Sequence, residues 1–152
     1  MKKLLIVVAA AVLLYACRNN KTDEPVAAND STTIEYSWEA SLNDSTGRLE
    51  MIKKEGITPD SLSARAMIDF LNSKNQFIRI EFIKISGDTL FTKIPEATYL
   101  TQQMGSSGPT MFFAEAVYNL TEVPGIHFVN FDFEEGDHAS PGVFNRDTFK
   151  DQ

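Results

Sequence analysis

The chain of 152 residues has few of the side chains that carry metal or covalent chemistry: one cysteine, two histidines and one tryptophan. A single cysteine excludes a disulfide within the chain, and a zinc site would need carboxylates to complete it. The sequence also lacks a His-Glu-x-x-His pair, a Gly-x-Ser-x-Gly nucleophile motif and the lysine of a phosphate-binding loop. We therefore expect no enzymatic activity, no metal ion and no cofactor, and a fold that depends on its hydrophobic core.

The sequence also has no apolar run of the length that a membrane-spanning helix needs, about 20 residues. Its longest charge-free apolar run, from Leu4 to Ala16, follows Lys2-Lys3, which is the arrangement of a secretory signal. The run closes with Leu14-Tyr15-Ala16-Cys17, which resembles the lipobox of a bacterial lipoprotein. We predict that residues 1–17 are a lipoprotein signal peptide and that Cys17 is lipidated by palmitate or similar acyl chains. The alternative is an ordinary signal peptide with an incidental cysteine.

Lipidation of Cys17 predicts where the protein resides. Two acyl chains hold a protein stably in a bilayer, whereas one chain gives only reversible binding. Arg18 follows the cysteine in place of aspartate, so the familiar signal for retention at the inner membrane is missing. We expect a lipid-anchored protein of the cell envelope, located at the outer membrane if the cell has two membranes.

Acidic side chains outnumber basic ones. Of the 14 basic residues, Lys2 and Lys3 belong to the predicted signal peptide, and the remaining 12 face 21 acidic residues, giving a net charge of −9. A nucleic-acid binder needs clustered basic side chains that neutralise phosphates. The basic residues of this chain are interleaved with acidic or apolar ones, so we exclude nucleic acid as a partner.

Composition divides the mature chain into a tether and one domain. Residues 18–33 are rich in Asn, Asp, Thr and Ala and have almost nothing to bury, which is typical of a flexible segment. From residue 34 the density of apolar residues rises and stays high to residue 150, a length common for a single domain.

Local patterns within residues 34–150 predict an α+β fold. Alternating apolar residues predict strands, and Thr58-Pro59 and Gly108-Pro109 are typical helix starts. Ser86-Gly87-Asp88 and Pro124-Gly125 are turn signals. The predicted order is a strand over 34–39, a strand over 48–54, a helix from Thr58, a hairpin over 77–94, a helix over 108–120 and a strand over 126–133. We expect a small sheet of about five strands with two helices packed on one face.

The two predicted helices differ in how their apolar residues are arranged. The first has a single apolar face, formed by Ala64, Met67, Ile68 and Leu71. The second has two apolar stripes, one with Phe113, Ala116, Val117 and Leu120 and the other with Met111, Ala114 and Tyr118. A helix that is apolar nearly all round is usually buried on two sides. We expect the connection over residues 95–104 to cover the second stripe; the alternative is that this stripe docks a partner.

Several segments resemble the GerM-type domain, also called the sporulation and spore germination domain. The resemblance rests on the helix over 64–71, the hairpin Ile85-Ser86-Gly87-Asp88-Thr89-Leu90, the stretch from Ala114 through Tyr118-Asn119-Leu120 and Val123-Pro124-Gly125-Ile126 to Phe131, and the closing Pro141-Gly142 and Asn145-Arg146-Asp147. These motifs are structural and extend over residues 36–149. The resemblance implies a non-enzymatic module of cell-envelope lipoproteins, related in fold to ring-building domains that pack side by side in envelope assemblies. The sequence departs from the family pattern at Glu134-Glu135-Gly136-Asp137, where a simple Asp-Gly turn is usual.

Three local features resemble chemical sites, and each has a simpler interpretation. The acidic cluster over residues 132–138 offers oxygen ligands but lacks the order of a calcium-binding EF-hand, so we interpret it as a solvated loop. His127 is interpreted as a packed or edge histidine of the last strand. Gly105-Ser106-Ser107-Gly108 precedes a predicted helix N-terminus, where free N–H groups can hold an anion. Capping of that helix by Ser107 explains the same residues.

These observations favour a lipid-anchored domain that binds another envelope protein or a second copy of itself. The predicted contact surface combines the second stripe of the second helix with the loop after the last strand, and it contains Met111, Tyr118, Glu135 and His138. The alternative is an envelope protein that binds a small ligand, a glycan or a peptide fragment, at the helix end over residues 105–108.

Overall fold

The computed structural model describes residues 38–54 and 63–152 of the chain. The predicted signal peptide with Cys17, the tether, most of the first predicted strand and the helix start at Thr58-Pro59 lie outside the described residues. All described residues belong to one compact unit. In chain order the elements are β1 (Trp38–Leu42), β2 (Leu49–Lys53), α1 (Ala64–Lys74), β3 (Glu81–Ser86), β4 (Thr89–Lys93), a π-helix (Tyr99–Gln103), α2 (Gly108–Leu120), β5 (Phe128–Asp132), β6 (Gly142–Phe144) and a 3-10 helix (Arg146–Phe149).

The fold is α+β, as predicted, and its strands form two sheets. One sheet has four strands in the order β3-β4-β5-β6, and β1 and β2 form a separate hairpin. Strands β4 and β5 run parallel, and the other neighbours are antiparallel. The expected single sheet of about five strands is therefore two sheets, because the alternation of apolar residues identifies a strand without identifying its partner.

Helix α1 begins later than the Thr58-Pro59 signal predicts. Ser63 is its N-cap, and the Ser63 hydroxyl accepts a hydrogen bond from the Ala66 N–H at 3.2 Å. The predicted apolar face of this helix is confirmed, since its four residues are all buried: Ala64, Met67, Ile68 and Leu71.

Helix α2 has the predicted bounds and lies between the two sheets. It contacts β5 through Phe113, whose ring centroid is 5.0 Å from that of Phe131, and it also contacts β1 and β2. This explains why both stripes of α2 are apolar. At Tyr118 the second stripe is covered by Trp38 of the hairpin rather than by the 95–104 connection, although the π-helix of that connection also contacts α2.

Both helices pack on one face of the four-stranded sheet, α1 against β3 and α2 against β5. The core-facing residues of the two central strands are buried, among them Leu90, Val129 and Phe131. The predicted turn at Pro124-Gly125 is confirmed by Gly125, whose φ of +84° is in the left-handed region that glycine tolerates. Strand β6 was not predicted, because three residues are too few to show a period.

Candidate functional site

The four residues predicted as a contact surface lie in different surroundings. Tyr118 is half-buried, with its ring 5.0 Å from the Trp38 ring and 5.0 Å from the Arg146 guanidinium. Met111 is half-buried in a groove of about 250 Å³ that Ala40 of the hairpin also lines. Glu135 and His138 are exposed in the loop after β5. The structure therefore does not place the four in one pocket, and Tyr118 is committed to packing within the domain.

A cluster of charged and aromatic side chains surrounds Tyr118. The Glu122 carboxylate accepts a hydrogen bond from the Trp38 indole N–H at 2.7 Å and one from the Arg146 guanidinium at 2.5 Å. Lys53 is 3.7 Å from the other Glu122 oxygen. Burial by itself raises the pKa of Glu122, but the hydrogen bonds from Trp38 and Arg146 outweigh it and hold the pKa below its usual value. Because the hydrogen bonds and charges of these groups are satisfied within the cluster, we infer that it holds the hairpin and the 3-10 helix against α2.

The histidine and helix-start features differ from their sequence interpretations. His127 is exposed just ahead of β5, and its backbone N–H donates to the Asp88 carbonyl, so it is not packed in the core. Ser107 occupies the N-cap position of α2, but its backbone is helical and its hydroxyl makes no capping hydrogen bond. The prediction that the Ser107 side chain caps α2 is therefore wrong. Pro109 in the first turn removes one of the N–H groups that a capping side chain ordinarily binds.

The outer face of the four-stranded sheet, which the helices do not cover, carries exposed apolar side chains among polar ones. In register across it lie Lys84, Phe91, Asn130 and Val143, one from each strand. Val143 is 57% exposed, and Ile83, at the irregular register of β3, is 52% exposed. Phe91 and Phe128 are half-buried. We call this surface, formed by Ile83, Lys84, Phe91, Phe128, Asn130 and Val143, the outer sheet face.

The outer sheet face also has a shallow groove and charges of both signs. The groove, of about 410 Å³, is lined by residues of all four strands, Ile83, Phe91, Asn130 and Gly142 among them. At one end of the face, Glu81, Lys93 and Asp132 follow one another in register across three strands. Within residues 38–54 and 63–152, neither Lys84 nor Lys93 makes an ion pair. Lys84 instead lies 5.0 Å from the Phe91 ring.

The exposed apolar residues of this face were not predicted as site residues, although the sequence carries a signal for them. Strands β3 and β4 have apolar residues at adjacent positions, as in Phe82-Ile83 and Leu90-Phe91, in place of strict alternation. Such runs are typical of strands that are buried on both faces. The parallel pair β4 and β5 is at the centre of the sheet, and parallel strands are rarely left open to solvent on one side. Both features are more usual in strands that are covered on both faces than in strands with one face open to solvent.

Neither a search for metal-binding groups and membrane-spanning helices nor comparison with known proteins assigns a function to the described residues. Within the part of the chain that the structure describes, no three histidine, cysteine, aspartate or glutamate side chains are grouped so as to hold a metal ion. No helix among these residues has the length and hydropathy to cross a membrane. Comparison with protein-family models, with curated proteins and with solved structures finds no significant match to this chain.

Proposed function

We propose that this protein is a lipid-anchored, non-catalytic protein of the cell envelope whose GerM-type domain makes protein–protein contacts through the outer sheet face. The observation that carries the proposal is the set of exposed apolar side chains on the two edge strands of the outer sheet face, Val143 on β6 and Ile83 on β3, which are 57% and 52% exposed. Exposed apolar side chains that share one face of a folded domain are a typical feature of interaction sites. The lipobox at Cys17 and the resemblance of the stretch from Ala114 to Phe131 to GerM-type domains support the envelope location and the absence of catalysis.

The partner that fits this face best is a second copy of the same chain. A two-fold interface brings a surface against itself, so the surface must be self-complementary. The outer sheet face and the charged end beside it carry both signs of charge, since Lys84 and Lys93 lie there together with Glu81 and Asp132. A two-fold axis that runs along the strands between β4 and β5 would set Lys93 of one copy against Asp132 of the other.

The size of the face predicts a weak contact that depends on the membrane. Strand spacings of about 4.8 Å and a rise of about 3.3 Å per residue give a face of roughly 300 Å² in projection, below the ~800 Å² per partner of a stable complex. Anchoring both copies in one bilayer confines them and raises their effective concentration. We therefore expect dimers on the membrane and monomers in dilute solution.

Contact through the sheet edge is less favourable than contact through the face. Strand β3 is an edge strand, but its pairing with β4 is irregular between Phe82 and Lys84. A bulge in an edge strand interrupts the row of free backbone groups that a new strand needs, and natural proteins use bulges in this way to prevent strand addition.

Photocrosslinking in intact cells tests the proposal. The full chain with a C-terminal tag carries a photoreactive amino acid at Val143, or at Ile52 as the control, since Ile52 is also apolar and 48% exposed but lies on the hairpin. We expect a discrete adduct of two copies from position 143 and not from position 52. An adduct with a different protein would replace the second copy as partner, and no protein adduct from position 143 would overturn the proposed function.

A further inference from the structure

The β1–β2 hairpin differs from the other elements in how little of it is buried. Among the described residues, every buried hydrophobic side chain lies between Ala64 and Phe149. Each residue of the hairpin, from Trp38 to Lys53, is half-buried or exposed. The two helices and the four-stranded sheet therefore supply all of the fully buried apolar core that the structure describes, and the hairpin packs on the outside of α2.

The hairpin also has no strand neighbour that ties it to this core. Among the described strands, β1 and β2 pair only with each other. An isolated two-stranded hairpin is only marginally stable in water. The hairpin therefore keeps its structure through its contacts with α2 and through a hydrogen bond from the Leu49 N–H to the Gln152 carbonyl at 2.8 Å.

Many of the contacts with α2 are hydrogen bonds from its polar side chains. Asn119 and Glu122 hold Trp38, the first through its backbone groups and the second through its indole N–H. Glu115 accepts the Ala40 N–H at 3.3 Å. Such bonds contribute little net free energy, because water replaces them when the two surfaces separate.

The apolar part of the attachment consists of half-buried side chains. Leu49 and Met51 pack partly against the core, and the Trp38 ring meets the Tyr118 ring edge-on at 5.0 Å. Regions with few buried apolar contacts open by local unfolding at a lower free energy than the whole domain. The hairpin therefore has the features of a unit that separates before the core unfolds.

The surface beneath the hairpin belongs to the second stripe of α2. Asn119 is fully buried there, and its side-chain amide bonds to β1. Tyr118 is half-buried beside Trp38, and Met111 is half-buried in the groove that Ala40 also lines. Separation of the hairpin would expose all three of these α2 side chains to water.

We propose that the hairpin is a strap that opens from α2 as a unit while the helices and the four-stranded sheet remain folded. The closed strap hides the second stripe of α2, and the open strap exposes it. In chain order the hairpin is the first described element after the predicted tether over residues 18–33, so it lies between the proposed anchor and the core. The strap shares no residue with the outer sheet face.

Native-state hydrogen exchange, followed by NMR on the full chain in detergent micelles, tests this proposal. The hairpin reporters are the hydrogen-bonded backbone amides of β1 and β2 and the Asn119 side-chain amide, which donates to the Trp38 carbonyl. The core reporters are the backbone amides of β4 and β5. We expect the hairpin reporters to share one protection factor, at least about 100-fold below that of the core reporters. Their exchange should also depend less on urea, because local opening exposes less surface than global unfolding.

The variant Ile80→Val separates local opening from global unfolding. Ile80 is buried just before β3, and loss of one methyl group should speed exchange of the core reporters about fivefold, the change that about 1 kcal/mol makes. The hairpin reporters should keep their wild-type rates, because Ile80 stays packed when only the hairpin opens. Ile83→Val is the matched control, since it makes the same change at a side chain that is 52% exposed, and it should alter neither set.

Three results would overturn the proposal. The first is a hairpin with the protection and urea dependence of the core, and the second is an equal effect of Ile80→Val on both sets of reporters. The third is protection that declines gradually from the ends of the hairpin, or an Asn119 side-chain amide that exchanges with the core set, since neither is opening of the strap as a unit. None of these results bears on the outer sheet face.

Discussion

The Asn119 side chain holds both backbone polar groups of Trp38. Its amide oxygen accepts the Trp38 N–H at 3.1 Å, and its amide nitrogen donates to the Trp38 carbonyl at 2.9 Å and to the Glu115 carbonyl at 2.8 Å. Asn119 is fully buried. A single amide in α2 thus pairs with β1 as a neighbouring strand would, and it fixes the hairpin to the helix.

Replacing this amide with an apolar side chain of similar size should destabilise the domain. In Asn119→Leu the Trp38 N–H and carbonyl lose their partners, and each unsatisfied buried group costs about 1 to 3 kcal/mol. We expect the free energy of unfolding in urea to fall by about 2 to 4 kcal/mol, with Trp38 fluorescence as the probe. Asn130→Leu makes the same chemical change on the half-exposed outer sheet face and should cost less than about 0.5 kcal/mol. Equal losses in the two variants would contradict this role for Asn119.

The Glu122 carboxylate makes the stability of the domain depend on pH. Its pKa is lowered in the folded protein, so its contribution is fully present above the ordinary glutamate pKa, about 4.3, and is lost as the pH falls through the lower folded value. Because Arg146 is about one-third exposed, we expect Glu122→Gln to cost only about 1 to 2 kcal/mol at neutral pH.

Urea unfolding of the wild type and Glu122→Gln between pH 7 and pH 3 measures this dependence. The difference in unfolding free energy should be constant near neutrality and shrink below about pH 4. Glu134→Gln is the control, since Glu134 is exposed and makes no ion pair among the described residues. A difference that grows as the pH falls would contradict a lowered pKa of Glu122 in the folded protein.

A charge placed on the outer sheet face should prevent association without unfolding the domain. In Val143→Lys a cation replaces an apolar side chain that is 57% exposed, so the free energy of unfolding should change by less than about 0.5 kcal/mol. The same lysine in a two-copy contact is buried without a partner, and we expect the yield of two-copy adducts to fall at least about tenfold.

Crosslinking from Phe91 on the same face measures that yield. Ile52→Lys, on the hairpin, is matched in exposure and charge change and should leave the yield unchanged. If Val143→Lys lowers the melting temperature by many degrees, or if both lysine variants reduce the adduct equally, the effect does not belong to the outer sheet face.

The sequence predicted the parts of the fold that depend on local chemistry. Pro109 in the first turn and the turn at Gly125 bracket α2, and its bounds, Gly108 and Leu120, agree with the prediction. The single apolar face of α1 is likewise set by spacing alone, so Met67 and Leu71 are buried as expected.

The arrangement of the strands and the contact surface depend on pairing between distant segments, which spacing does not reveal. Asn119 looks like a solvent-facing residue of α2 until β1 is placed beside it. Leu90 and Phe91 are adjacent apolar residues of β4. Only the sheet order shows that Leu90 faces the core and that Phe91 faces the outer side of the sheet. Helical spacing alone places Tyr118 on a contact surface. Its packing partner, Trp38, lies 80 positions earlier in the chain, so the local sequence gives no sign of this contact.

Removal of the proposed lipid anchor should affect location and association together. In Cys17→Ala no acyl chain is attached, so we expect the protein to leave the membrane fraction, as measured by alkaline washing and immunoblotting. Because the outer sheet face is too small for a stable contact in solution, release should also abolish the two-copy adduct from position 143. Val143→Lys, by contrast, should lose the adduct and remain in the membrane. A Cys17→Ala protein that stays in the washed membrane would contradict the lipoprotein assignment, and one that is released yet still crosslinks to itself would show that the contact does not need the bilayer.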